Sequence, residues 1–332
     1  MSPQPSRRHR WAALLRPLLA TAFVGGAAIG MWSVLRGEGD EIMALLSRPG
    51  ALPWLVGSMV VNTAGLLLGM ASWRSTLTGL GHPLPLGATL RIFGASVLGK
   101  YLPGPFWSAL ASVYLGRDSG VPPARMVAAY VLNSIIVVLT AAVVGTVAAP
   151  QALGQGAVWL LPAVLAVAVL LWRPGLVIRA AELAARLLRR PAPTGEVSAT
   201  ALRRAMVLEI LSWIVGGAHL WLIAVVLGAP MGASFAVCVG GFALAAAAGA
   251  LALVVPGGAG VREVVIMVVL VAVLPWSQAG AAALASRLCC TVTEVVGAGG
   301  VLLAARFTRA RRTVAAPRVT EPTEPAEVAG GR

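Results

Sequence analysis

Charge is scarce in this sequence. Only 11% of its 332 residues are Asp, Glu, Lys or Arg, against 58% hydrophobic, and mean hydropathy is +0.85. A soluble domain cannot be covered with so little charge; the composition is that of a multi-span helical membrane protein. Acidic residues are the scarcest, 12 against 26 basic, leaving a net charge of +14. That balance would suit nucleic acid, but the arginines lie in short loops beside apolar runs, where positive-inside topology and anionic lipid account for them. No basic face on a nucleic-acid-binding fold accompanies them, so nucleic acid is excluded as a partner. The three cysteines, Cys238, Cys289 and Cys290, fall inside apolar runs without metal-ligand spacing, and there is no Asp-rich or His-rich motif. No metal or cofactor is expected, and the cysteines do not report a redox compartment. The longest polar segment, residues 173–204, leaves no room for a soluble catalytic domain.

What is present is apolar runs of membrane length and the loops between them. Residues 1–13 form a basic N-terminus carrying Arg7, Arg8 and Arg10, and a transmembrane domain is expected over 14–305. The first run, 14–35, is longer than the apolar core of a signal peptide and reads as an uncleaved helix with its N-terminus in the cytoplasm. Further spans are expected at 52–73, 126–149, 157–172, 205–227, from 234, at a shortened 264–274, and at 279–305. The count is about eight transmembrane helices in an all-α polytopic protein of the cell membrane, with both termini and every Arg-rich loop cytoplasmic. In the linker 173–204, Arg179, Glu182, Arg186 and Arg190 recur three or four apart, predicting an amphipathic helix on the anionic inner leaflet or a solvated connector. The tail, 306–332, has arginines followed by Pro and Glu and is expected to be disordered.

Two stretches break the pattern. In 251–267, LALVVPGGAGVREVVIM, an apolar run is interrupted by Pro256, Gly257, Gly258 and Gly260 and followed at once by Arg262 and Glu263. In 84–116 the apolar pieces on either side of Pro103, Gly104 and Pro105 are each too short to cross a bilayer, which predicts a re-entrant helical hairpin with Lys100 and Tyr101 at its tip. Backbone that leaves its helix within lipid loses hydrogen bonds worth several kcal/mol per group unless protein or a water-filled cavity replaces the lost partners. Paired interrupted segments in the two halves of a chain are the sequence-level pointer to a transporter's binding site, where half-helix N-termini offer N–H groups to an anion.

GKYLPGPFWS at 99–108, PGGAGVRE at 256–263 and a late helix with an internal arginine, ASRL at 285–288, resemble the membrane domain of the lysylphosphatidylglycerol synthase family. The resemblance covers residues 20–305. It implies a lipid-handling membrane protein whose relatives flip an aminoacylated phospholipid to the outer leaflet, while a separate cytosolic domain attaches the amino acid. The sequence as given lacks that second domain, so the synthase activity is not carried over, and the expectation is a flippase-like member without it. A separate lipid-modifying enzyme is then a possible partner, beside the membrane lipids themselves.

The expected substrate-binding group is therefore Arg262, Glu263, Arg287 and Glu294, with Lys100, Tyr101, Pro103, Gly104, Pro256, Gly257, Gly258 and Gly260 around it. Ionisable residues within a bilayer cost roughly 2.5–3.5 kcal/mol each on insertion scales, so they have a partner or a job. Cations would hold a phosphate, and the carboxylates would neutralise the vacant site or contact an amine. In the competing reading, Arg262 and Glu263 sit at the interface and Arg287 pairs with Glu294 or Glu263 to lock helices. Lys100 and Arg91 could equally be snorkelling interfacial residues. Glu209 is expected to be interfacial, His219 a hydrogen-bonded packing residue, and the small residues at 245–248 with Gly297, Gly299 and Gly300 to serve close helix packing. Two rival functions remain at this point: an integral-membrane transferase, for which only Glu263 with His219 could supply acid-base chemistry, and a non-catalytic membrane partner of a cell-envelope lipid or polysaccharide enzyme.

Overall fold

The computed structural model describes residue 47 and residues 50–102, 106–146, 160–187, 197–251, 258 and 260–315. The expected first span, 14–35, therefore lies outside the described residues, as do Pro103, Gly104, Pro256 and Gly257. Among those described the protein is helical throughout: α1 (Ala51–Gly79), α2 (Leu86–Gly99), α3 (Trp107–Arg117), α4 (Pro123–Gly145), α5 (Leu160–Trp172), α6 (Gly175–Leu187), α7 (Ala199–Val226), α8 (Met231–Leu251), α9 (Val261–Leu270) and α10 (Trp276–Ala315). Five of these are long and apolar enough to cross a membrane: α1, α4, α7, α8 and the Trp276–Ala305 part of α10. The protein is all-α and polytopic.

The bundle is built on an antiparallel pair, α1 and α7. Ser75 Oγ donates to the Ala201 carbonyl at 3.0 Å at one end, and midway Ser212 Oγ donates to the Gly65 carbonyl at 2.8 Å. Where the two helices cross there is no room for a side chain: a Cβ on Gly65 would lie 2.7 Å from Gly216 Cα. Lipid gives apolar side chains little reason to prefer one another, so association rests on such backbone approach and on polar contacts between helices. The outward faces carry the apolar residues: Val56 and Val60 on α1, Val264 and Val268 on α9, and Val296 and Leu303 on α10 are exposed at helical spacing. They form a belt for acyl chains.

Arginines gather at one end of the bundle. Arg74 Nε donates to the Leu84 carbonyl at 3.0 Å, Arg203 Nε donates to the Leu171 carbonyl at 2.9 Å, and Arg91 lies 3.8 Å from Asp118. From this end α2 and α3 enter and return as a hairpin, its arms closed by Ser96 Oγ donating to the Ser108 carbonyl at 3.1 Å. At 1.5 Å per residue α2 reaches about 21 Å and α9 about 15 Å, both short of a ~30 Å hydrocarbon core. The opposite end has apolar turns: α9 stops at Leu270, and α10 begins at Trp276, which is exposed.

Several boundaries differ from the sequence expectation. α7 starts at Ala199, capped by Ser198 Oγ accepting from the Ala201 N–H at 3.4 Å, so the end of the predicted linker is already helix. α10 continues to Ala315, because nothing in 306–315 breaks a helix. Gly297 and Gly300 are exposed, and a Cβ on Gly297, Gly299 or Gly300 would touch nothing within 4 Å; the packing residue there is Ala298, against Gly94. The expected close packing by these three glycines is thus replaced by contact on the other face of α10. α6 lays its fully buried Val177 into the bundle and exposes Leu176, Leu183 and Arg179, an amphipathic disposition.

Gly65→Ala should cost about 1–3 kcal/mol through overpacking against backbone that cannot yield. The measurement is the unfolding midpoint of the full-length protein in detergent. Gly57→Ala, whose Cβ would meet only Leu222 at 3.8 Å, should leave it unchanged.

Candidate functional site

The tip of the α2–α3 hairpin is fixed by close backbone contact. A Cβ on Gly99 would lie 2.6 Å from Ser108 N, so only glycine lets the two arms meet there. Immediately beyond it Lys100 and Tyr101 reach across to α10. Lys100 Nζ lies 2.6 Å from Glu294 Oε1, and the Tyr101 hydroxyl donates to Glu294 Oε2 at 2.7 Å. Both carboxylate oxygens are satisfied by the hairpin, and the lysine stands at the negative end of the α2 dipole, where a cation is favoured.

The second break is held in the same manner. Gly258 has φ +67° and would place a Cβ 2.7 Å from Gly249 Cα, two separate reasons why no side chain is tolerated; Gly260, at φ +81°, makes the last turn before α9. Arg262 and Glu263 occupy the first turn of α9. Glu263 Oε1 accepts from Arg287 Nη1 of α10, while its other oxygen, buried, has no partner among the described residues. Arg262 makes no ion pair there. Its guanidinium lies over the Phe242 ring, 5.6 Å from the centroid, and its stem runs so close over α8 that a Cβ on Gly249 would come within 2.7 Å of Cγ.

The two breaks therefore meet on α10. Lys100 and Tyr101 from the first, Arg262 and Glu263 from the second, and Ser286 and Arg287 from α10 line one crevice of about 20 Å³, room for about one water. Next to it, and sharing Lys100, Arg262 and Cys290, is a cavity of about 210 Å³ whose walls include Asn62, Asn133, Glu209, Phe242 and Glu294. Asn62, Asn133, Trp213, Phe242 and Cys290 each stand near the middle of their helices, which puts this space at mid-depth of the bundle.

Glu209, expected at the interface, is 4% exposed and lines the cavity, and its Oε2 has no hydrogen-bond partner. Arg91 pairs with Asp118 away from the site. Glu294 pairs with Lys100 rather than with Arg287, although the two share a face of α10. His219 is a hydrogen-bonded packing residue: one ring nitrogen meets the Gly216 carbonyl, the other lies 2.8 Å from Ser286 Oγ, and Phe242 stacks edge-on at 4.8 Å.

Sequence reasoning missed Asn62 and Asn133 altogether, and took Cys290 only as a cysteine without metal-ligand spacing. Asn62 Nδ2 donates to Thr293 Oγ1, and Cys290 Sγ donates to Asn62 Oδ1 at 3.6 Å, tying α1 to α10 beside the cavity. An asparagine in the middle of an apolar run is the signal that could have found the first two, since lipid tolerates it only facing a partner or a cavity.

Comparison with known proteins gives one match. The family model for the lysylphosphatidylglycerol synthase TM region aligns with residues 14–319. No curated protein and no solved structure matches.

The bridge between hairpin and α10 generates a direct test. Lys100→Met strands a buried carboxylate and should destabilise more than Lys100→Met combined with Glu294→Gln, with a coupling of roughly 0.5–3 kcal/mol in a double-mutant cycle. Unfolding midpoints of the purified variants in detergent read it.

Proposed function

The chain belongs to the lysylphosphatidylglycerol synthase TM region family, and from that premise we propose that its central cavity binds an anionic phospholipid or lipid-linked headgroup and carries it between the leaflets of the cell membrane. The observation that carries this reading is Arg262, a cation without an ion-pair partner among the described residues, standing at mid-depth where the two interrupted elements meet. Around it Lys100–Glu294 and Arg287–Glu263 neutralise one another, leaving the crevice with one unmatched positive charge. An arriving phosphate takes Arg262 first, assisted by the positive end of the α9 dipole, and then competes with Glu294 and Glu263 for Lys100 and Arg287. Bound there, the phosphate supplies Arg262 with the counter-charge it lacks in the empty site. The carboxylates hold the empty site closed, and the headgroup opens it.

The acyl chains stay in lipid alongside the exposed face of α9, where Val264 and Val268 offer a smooth apolar surface. The arginine-rich end is the cytoplasmic one by the positive-inside rule, so the α2–α3 hairpin enters from the cytoplasm and α9 faces the other leaflet. The transferase reading loses its acid-base pair, because His219 is committed to Gly216 and Ser286 and does not line the cavity.

The experiment is reconstitution into liposomes with fluorescent phosphatidylglycerol in the outer leaflet and dithionite as quencher, compared with phosphatidylcholine. Wild type should move the anionic lipid faster than empty liposomes do, and Arg262→Gln should slow it at least about tenfold, the loss expected from removing one charge-assisted hydrogen bond of about 1.5–3 kcal/mol. Absence of leaflet transfer for any anionic lipid, with unchanged cell-envelope phenotype in Arg262→Gln and Arg287→Gln strains, would leave the role of a non-catalytic partner of an envelope enzyme.

A further inference from the structure

Lys100 and Arg287 each meet a carboxylate, and Arg262 meets a ring. Its half-buried guanidinium lies 5.6 Å from the centroid of Phe242, which is 7% exposed, and among the described residues it has no ion pair. The negative face of an aromatic ring attracts a guanidinium without presenting a formal charge that an arriving anion must displace. The stem of Arg262 runs over Gly249, seven residues beyond Phe242 and on the same face of α8, so stem and guanidinium lie along one track.

The ring is held from the other side by three residues of α7 at successive turns. Trp213 and His219 meet it edge-on, with centroids at 6.1 and 4.8 Å. Between them Gly216 leaves room for its rim, since a Cβ there would lie 3.3 Å from Phe242 Cε1. The two clamping rings are themselves fixed. Trp213 Nε1 donates to Thr140 Oγ1 of α4 at 3.0 Å, and His219 is held by the Gly216 carbonyl and by Ser286 Oγ of α10 at 2.8 Å. Phe242, Trp213, Gly216 and Arg262 all line the 210 Å³ cavity. Hydrogen bonds made on α4 and α10 therefore fix, through α7, the face that α8 presents to the arginine of α9.

We propose that Phe242 is the positioning residue of the anion site: its ring holds the Arg262 guanidinium in the cavity wall while the site is empty and releases it to the phosphate. The inference rests on the reading of Arg262 above and deepens it. A cation–π contact is weaker than a charge-assisted hydrogen bond to phosphate, so transfer from ring to anion is favourable, whereas a carboxylate in the place of the ring would compete with the phosphate on equal terms. The difference sorts the three cations. Lys100 and Arg287 are tied to acids and hold helices together; Arg262 is tied to a ring and stays available.

The test changes the electrostatics of the ring at nearly constant shape. Mono-, di- and trifluorinated phenylalanine are placed at position 242 of the full-length protein by nonsense suppression, in the wild-type background and in Arg262→Gln, and the variants are studied in phosphatidylcholine nanodiscs. Two quantities are read, the unfolding midpoint without anion and the calorimetric affinity for dihexanoyl phosphatidylglycerol. Each fluorine weakens the negative face, so the midpoint should fall stepwise with Arg262 present and stay level in Arg262→Gln, a dependence that a purely packing role for the ring would not produce. Affinity should rise stepwise, by roughly two- to thirtyfold across the series, the range corresponding to a contact of this class. A midpoint that does not fall, or falls equally in both backgrounds, overturns the positioning role and leaves the reading of Arg262 as the anion site standing. Affinity that is level or decreases with fluorination also overturns it, because the ring then does not release the guanidinium on binding. An Arg262-dependent midpoint series in a protein that binds no anionic lipid overturns the functional reading, and the release step with it, and leaves only the resting contact.

Discussion

A polypeptide that abandons its helix inside a bilayer must be held by something other than water, and here that support comes from α10. Two ion pairs reach it from opposite directions: Lys100–Glu294 ties down the tip of the α2–α3 hairpin, and Arg287–Glu263 ties down the start of α9. Neither half-length helix could be stable at mid-depth alone. Each has a terminal charge whose partner is on the same helix, α10, so one helix registers both interruptions. Glu294 is occupied twice over, by Lys100 and by the Tyr101 hydroxyl, whereas Glu263 keeps one oxygen unused. The hairpin side is accordingly the more firmly tied, and the α9 side holds the spare capacity.

The glycines explain why such bridges can form at all. Gly99 against Ser108, and Gly258 against Gly249, bring main chains to distances at which a methyl group would collide with backbone. Close approach shortens the span that a lysine or arginine must cross to reach its carboxylate. The same device, at Gly65 and Gly216, draws α1 onto α7 and closes the cavity from behind. Polar contacts then fix the register: Asn62 with Thr293, Ser212 with the Gly65 carbonyl, Trp213 Nε1 with Thr140 Oγ1 at 3.0 Å.

Much of this architecture was legible in the sequence, and the reasons are local. Runs of apolar residues punctuated by arginine mark α1, α4, α7, α8 and α10, because lipid imposes one rule on all of them. The breaks were visible because glycine and proline in an apolar run have few other meanings, and Arg262 and Glu263 stood out as charges beside a break. What the sequence could not show was pairing across it. Arg287 and Glu294 share a helical face, yet each finds its partner on a different element, a choice made by tertiary geometry. The burial of Glu209 in the cavity wall was not legible, because hydropathy does not say which face of a helix meets a hollow. Asn133 went unnoticed because one amide in an apolar run barely changes its average.

The bare surface of α8 at Gly249 has a consequence for how such a protein changes over evolutionary time. The stem of Arg262 lies directly on that surface, so the reach of the guanidinium is set by a neighbour that carries no charge and touches no ligand. A single methyl group at position 249 would lift the arginine and reshape the hollow while every ionisable residue stayed in place. Divergence in the shape of this hollow among descendants can therefore proceed by steric drift beneath an unaltered electrostatic layout, and a comparison restricted to charged positions would miss it.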